Sequence, residues 1–124
     1  MRRLIAAVLL LVIVLVSYLI SFFYIKNTCD NANRILDECI NLYEQDLNAS
    51  KKAEELNKYW SGHEKYLSVF ANHSMIDDIE LAISSLLIYA NTDDNVIFYE
   101  YSGTVATLLH QMMEDTRPSM HSIL

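Results

Sequence analysis

The stretch LIAAVLLLVIVLVSYLISFFYI, residues 4–25, is the most distinctive part of the chain, because none of its 22 side chains carries a charge. About 20 helical residues are enough to cross the hydrocarbon core of a bilayer. Arg2 and Arg3 precede this stretch, whereas Lys26 follows it with Asp30 close behind. Positively charged flanks stay in the cytoplasm. The pattern therefore predicts a membrane-spanning helix with the rest of the chain outside the cytoplasm.

A cleaved signal peptide is the alternative explanation for this stretch. Its apolar core would be shorter and would be followed by small residues at a cleavage site. Phe22, Phe23 and Tyr24 fill those positions here, and aromatic residues of this kind suit a membrane interface. We therefore expect the anchor to be retained in a single-pass protein of the cell membrane.

The rest of the chain is acidic. Residues 26–124 hold 7 Lys/Arg and 16 Asp/Glu, a formal charge of −9. Such a surface repels nucleic acid. We expect no nucleic-acid partner, and the composition leaves open a protein partner or a homodimer.

The region after the anchor has the pattern of an all-helical domain. Its only helix breakers are Gly62, Gly103 and Pro118, and its apolar residues recur every three or four positions, as in amphipathic helices. We expect helices over about residues 28–47, 51–70, 75–90 and 95–114. Residues 96–101 are rich in strand-forming side chains, so the sequence leaves their state open.

The predicted fold class is all-α, with an N-terminal transmembrane helix followed by an up-and-down bundle of three to four antiparallel helices. Short loops favour that topology. Phe22 and Ile25 continue the spacing of the next helix back into the anchor, which indicates one continuous rod. The predicted division is 1–3 cytoplasmic, 4–25 transmembrane, 26–116 extracytoplasmic helical domain and 117–124 tail. The predicted core comprises Leu36, Cys39, Leu56, Trp60, His63, Leu67, Phe70, Ile76, Ile79, Ile83 and Leu86.

Cys29 and Cys39 lie ten residues apart on one predicted helix. That separation is ~15 Å along the helix axis, whereas a disulfide needs Cα atoms within about 7 Å. We expect Cys39 to be a small core residue and Cys29 to be an unpaired thiol on a stalk next to the anchor. A disulfide between two chains outside the cytoplasm is the alternative.

One group of residues carries a metal-site hypothesis: His63, His73, Asp77 and Glu80. Zinc binds imidazole nitrogen and carboxylate oxygen, and the last three residues flank one predicted turn. The sequence lacks the second histidine that a zinc-protease helix requires after His63. We expect these side chains to have structural roles instead, with His63 pointing inward and facing Glu80, and we expect no cofactor.

One segment of the chain resembles a known family, and its residues are Trp60, Leu67, Phe70, His73, Ile76, Asp77, Ile79 and Glu80. The resemblance is to DUF4363, a bacterial family of unknown function whose members occur mostly in Gram-positive spore formers. It implies an N-terminal membrane anchor joined to a helical region of about this length. It brings no assigned activity.

These observations together favour a non-enzymatic interaction or scaffold module on the outer face of the cell membrane. The sequence has no Gly-rich phosphate loop and no recognisable nucleophile–base motif. Two alternatives stay open. The bundle could sense an extracellular ligand and act through a second membrane protein, or it could bind a metal.

Overall fold

Four α-helices make up the computed structural model of this protein, which describes residues 1–116 apart from the side chains of Phe70, Asp115 and Thr116. No strand occurs within residues 1–116, so the predicted all-α class is confirmed. The predicted tail, residues 117–124, lies outside the described residues. The helices are α1 (Arg2–Glu44), α2 (Ser50–Phe70), α3 (His73–Tyr89) and α4 (Asn95–Thr116).

The four helices form an up-and-down bundle. Each helix packs beside the one before it, and α4 closes the bundle by packing against α1. Two ends can therefore be distinguished. The proximal end holds the α2–α3 turn and lies toward the N-terminal half of α1, whereas the distal end holds the α1–α2 and α3–α4 loops. The prediction of an apolar N-terminal helix followed by a bundle is confirmed.

Helix α1 is continuous through the predicted anchor and the first helix of the bundle. All side chains from Leu4 to Ile20 are exposed, and this part is long and apolar enough to cross a membrane by length and composition. From Ile25 onward, one face of the same helix is buried against the other helices. Ile25 is the last residue of the predicted span, yet it is only 1% exposed. The bundle therefore begins before the apolar stretch has ended.

The end of α1 uses a left-handed residue. Asp46 has φ 57°, a conformation that Asp adopts more readily than most side chains. The Leu47 amide then donates to the Leu42 carbonyl at 2.9 Å, which closes the last turn. The helix ends at Glu44, three residues before the predicted end.

The core lies along the inner faces of all four helices. His63 was predicted to belong to it, but it is only half-buried, since its ring lies at the edge between α1 and α2. The side chain of Phe70 is outside the described part. The other predicted core residues are all buried: Leu36, Cys39, Leu56, Trp60, Leu67, Ile76, Ile79, Ile83 and Leu86.

Residues 96–101 are helical, although their side chains favour strands. The Asp94 side chain accepts a hydrogen bond from the Ile97 amide at 3.3 Å, which satisfies one of the free donors at the start of α4. Phe98 is fully buried, and its ring stacks on that of Tyr43 at a centroid distance of 3.7 Å. Tertiary packing thus outweighs the local strand preference.

Candidate functional site

The bundle carries a group of polar side chains at its proximal end, where α1, α2 and α3 meet. We call it the proximal polar cluster, and its members are Tyr24, Asn31, Tyr59, His63, Glu64 and Glu80.

His63 is held from two sides by residues of this cluster. Its Nδ1 is hydrogen-bonded to the Tyr24 hydroxyl at 2.8 Å. Its ring also lies against that of Tyr59, with 4.5 Å between the ring centroids. Asn31 Nδ2 donates to the Tyr59 hydroxyl at 3.2 Å and so positions that second ring. A hydroxyl can donate or accept, so Tyr24 can satisfy Nδ1 whether or not His63 is protonated.

The carboxyl groups of Glu64 and Glu80 lie against each other. Glu64 is half-buried, and its Oε1 is buried without a hydrogen-bond partner. Burial, the adjacent Glu80 and then Asp77 raise the pKa of Glu64 to about 7. Two carboxylates this close cannot both ionise cheaply. The pair therefore keeps one proton close to neutral pH and can release it in that range.

Trp60 lies deeper in the bundle than His63, on the same face of α2. It is fully buried, and its indole Nε1 has no hydrogen-bond partner among the described residues. A buried donor without a partner costs roughly 1–3 kcal/mol. Thr28, which is also buried, avoids that cost because its hydroxyl donates to the Tyr24 carbonyl at 2.8 Å.

The four metal candidates do not come together. His73 and Asp77 are exposed on the first turns of α3, His63 is bonded to Tyr24, and Glu80 faces Glu64. Within residues 1–116, no three His, Cys, Asp or Glu side chains are grouped so that they could hold a metal ion. The expected contact between His63 and Glu80 was wrong, since each has a different partner.

Both cysteines are fully buried and unbonded to each other. Burial, with a smaller contribution from Asp30, raises the pKa of Cys29 to about 12. Burial alone raises the pKa of Cys39 to about 11. The thiol of Cys39 donates a weak hydrogen bond to the Ala49 carbonyl at 3.5 Å. Cys29 was expected on a stalk, but it packs inside the bundle because the core extends back to Ile25.

Sequence reasoning missed four members of the proximal polar cluster: Tyr24, Asn31, Tyr59 and Glu64. Tyr24 was assigned to the membrane interface, although the three- and four-residue spacing through Phe22 and Ile25 already continued the bundle to its position. Glu64 was missed because His63 was expected to be the residue of α2 that faces Glu80. Counting outward from the α2–α3 turn placed Glu80 opposite this part of α2, but neighbouring residues on a helix differ by ~100° in direction. A shift of one position changes which side chain meets Glu80.

A comparison with protein-family models matches residues 19–123 to Domain of unknown function (DUF4363). No curated protein and no solved structure matches the chain. The matched region starts just before the bundle does and includes every residue of the proximal polar cluster. It covers most of the chain, so the resemblance read from the sequence is confirmed. This chain belongs to the DUF4363 family.

Proposed function

We propose that this protein is a single-pass membrane protein whose bundle is a non-enzymatic interaction module on the outer face of a bacterial cell membrane. The continuity of α1 is the observation that carries the proposal. Its residues Leu4–Ile20 are bare on every side, whereas its residues from Ile25 onward form one wall of the bundle. An exposed helix of that composition is stable in the hydrocarbon core of a bilayer. Because the backbone of α1 is uninterrupted, the bundle is held next to the membrane surface.

The flanking charges support the orientation. Arg2 and Arg3 come directly before the apolar stretch, and positive residues next to a span stay in the cytoplasm. All the acidic residues follow the stretch, so the bundle carries the negative charge of the chain. That charge favours a protein partner or a second copy of this chain over nucleic acid.

The roles of the reactive side chains support interaction rather than catalysis. A thiol acts as a nucleophile when it is exposed and its pKa is lowered, but Cys29 and Cys39 are buried and their pKa values are raised. His63 is bonded to Tyr24 at the edge of the core. These side chains pack in the core or connect neighbouring helices, and such structural roles are consistent with a scaffold.

The lysines allow a direct test of the orientation. Lys26, Lys51, Lys52, Lys58 and Lys65 are the only lysines of the chain, and all of them follow the span. A membrane-impermeant amine reagent added to intact cells should therefore label the full-length protein. Lysed cells provide the control, because they expose lysines in either orientation. Labelling only after lysis would contradict the proposed topology.

The same lysines test the interaction. A lysine-reactive crosslinker applied to intact cells should give one discrete adduct. An adduct of twice the 14.3 kDa chain mass would identify a second copy, and another mass would identify a different partner. If the chain stayed at its own mass with crosslinkers of several lengths, the interaction role would be contradicted.

A further inference from the structure

The register between α1 and α2 determines how far the bundle reaches toward the N-terminus. Asn31 contacts Tyr59, and Tyr24 contacts His63, so α2 descends along α1. Helix α2 ends at Phe70, seven residues past His63. At about 1.5 Å per residue, the end of α2 lies ~10 Å beyond the level of Tyr24, toward the N-terminal half of α1.

That register leaves little bare helix below the α2–α3 turn. Seven residues back from Tyr24 is Ser17, but α1 side chains are exposed as far as Ile20, so the bare apolar segment is residues 4–20. Seventeen helical residues are about 26 Å long, whereas the hydrocarbon core of a bilayer is about 30 Å thick. If Leu4 lies at the inner edge of that core, its outer edge falls above Ile20 and above the height of the α2–α3 turn.

The residues at the proximal end suit a lipid boundary. Val69 and Tyr66, near the end of α2, are 73% and 62% exposed, and Phe23 on α1 is 60% exposed. Tyr is enriched where one end of a side chain is apolar and the other is hydrated. Asp77 and Asp78 are exposed on the first turns of α3. Because a carboxylate in hydrocarbon is costly, these two limit the insertion to the head-group level.

We propose that the end of α2 around Tyr66 and Val69 lies in the boundary between the head groups and the acyl chains of the membrane that α1 crosses. This inference rests on the proposed membrane anchoring. The occupant of this surface is lipid because α1 runs unbroken from the bilayer into the bundle, so the bilayer around α1 also meets the turn. Zwitterionic lipid fits the acidic chain best, since anionic head groups would repel it.

A second membrane contact restricts how the bundle is presented. A bundle held by α1 alone could tilt over the membrane surface, whereas a bundle that also rests on the end of α2 stays upright. The face carrying Leu81 and Ile88, both more than 60% exposed, is then held above the membrane at a constant height, level with other proteins on the same surface.

Two valines provide a matched test. Val69 and Val96 are 73% and 77% exposed, but Val96 lies on the first turn of α4 at the distal end. The full-length variants Val69→Cys and Val96→Cys are labelled with an environment-sensitive fluorophore and reconstituted into phosphatidylcholine vesicles. Some of the lipids carry a quencher near the head group. The wild-type chain serves as the blank, because Cys29 and Cys39 are fully buried.

We expect quenching at position 69 to exceed quenching at position 96 at least threefold. A third variant, Tyr66→Cys, should behave like Val69→Cys, which guards against a local disturbance by one label. Circular dichroism confirms that each variant keeps its helices. Flotation separates the two proposals: a chain that does not float with the vesicles overturns the anchoring and this inference together. A chain that floats but shows equal quenching at positions 69 and 96 overturns only this inference.

Discussion

The two ends of the bundle satisfy their polar groups in different ways. At the distal end, the Tyr43 hydroxyl donates to Asn95 Oδ1 at 2.7 Å while its ring stacks on Phe98. This contact closes α1 against α4. At the proximal end, Glu64 lies against a second carboxylate, and burial together with this neighbour raises its pKa to about 7, so its ionised form is disfavoured there. The distal end is therefore built for stability, whereas the proximal end gives up some stability.

The difference makes the proximal end the better candidate for a functional surface. Proteins tend to break the rules of local stability at functional sites and to compensate elsewhere. The unpartnered groups of the described residues, Trp60 Nε1 and Glu64 Oε1, both lie on the half of α2 that runs toward the proximal end. Three substitution experiments test this difference between the two ends of the bundle.

The largest effect is expected at Trp60. Trp60→Ala removes a fully buried ring and should cost ~3–5 kcal/mol of unfolding free energy, out of a typical total of about 5–15 kcal/mol. Trp60→Phe keeps much of the ring volume and removes an N–H that has no partner, so it should cost less than about half as much. Thermal unfolding of the full-length chain in detergent measures both. Equal costs for the two variants would show that the indole N–H is satisfied after all.

A smaller effect is expected from two tyrosine hydroxyls, one at each end. Tyr24→Phe leaves half-buried His63 Nδ1 without its partner, which should cost about 1 kcal/mol. Tyr43→Phe removes the exposed hydrogen bonds to Asn95 and Thr92, which water can replace, so its cost should be below ~0.5 kcal/mol. The same unfolding measurement compares them. A larger loss for Tyr43→Phe would reverse the ranking of the two ends.

An effect that appears only as the pH rises is expected at Glu64. Its folded pKa of about 7 exceeds the ordinary value of 4.5, so the folded state binds more protons between these values. Stability from this group is then fully present below pH 4.5 and is lost as pH rises through 7. Glu64→Gln mimics the protonated form. It should raise the melting midpoint by a few degrees at pH 8 and leave it unchanged near pH 4.5.

Glu54→Gln is the control for this measurement. Glu54 is an exposed residue of the same helix and pairs with Lys58 at 3.3 Å, and exposed pairs of this kind contribute little to stability. Its midpoint should stay close to that of the wild type at every pH. A difference between Glu64→Gln and the wild type that did not vary with pH would show that Glu64 is ionised in the folded chain.

The fold was predictable from the sequence because it depends on repeated patterns. Ile76, Ile79 and Ile83 recur at helical spacing, and each is buried as that spacing predicted. The uncharged stretch indicated the bare half of α1 for the same reason. Patterns of this kind are read from many residues at once, so one misassigned side chain does not change the predicted helix.

The proximal polar cluster was not predictable in the same way. Which side chain meets Glu80 depends on the rotation of α2 about its axis, and a change of one residue replaces His63 with Glu64 in that contact. The position along α1 at which the bundle begins was also hard to predict from the sequence. Hydropathy counts Tyr24 and Ile25 with the anchor, because it records apolar character and not whether lipid or another helix surrounds it.

The two buried thiols can be used to measure how often the bundle opens locally. Neither Cys29 nor Cys39 can react while the helices stay closed, because each is fully buried and protonated at neutral pH. A thiol reagent therefore reports how often the structure opens locally. Cys29 lies five residues after Tyr24, in the proximal half of the bundle. Cys39 lies beside Ala49 near the α1–α2 loop, in the distal half. The rates at which the two thiols react therefore report local opening separately in the two halves of the bundle.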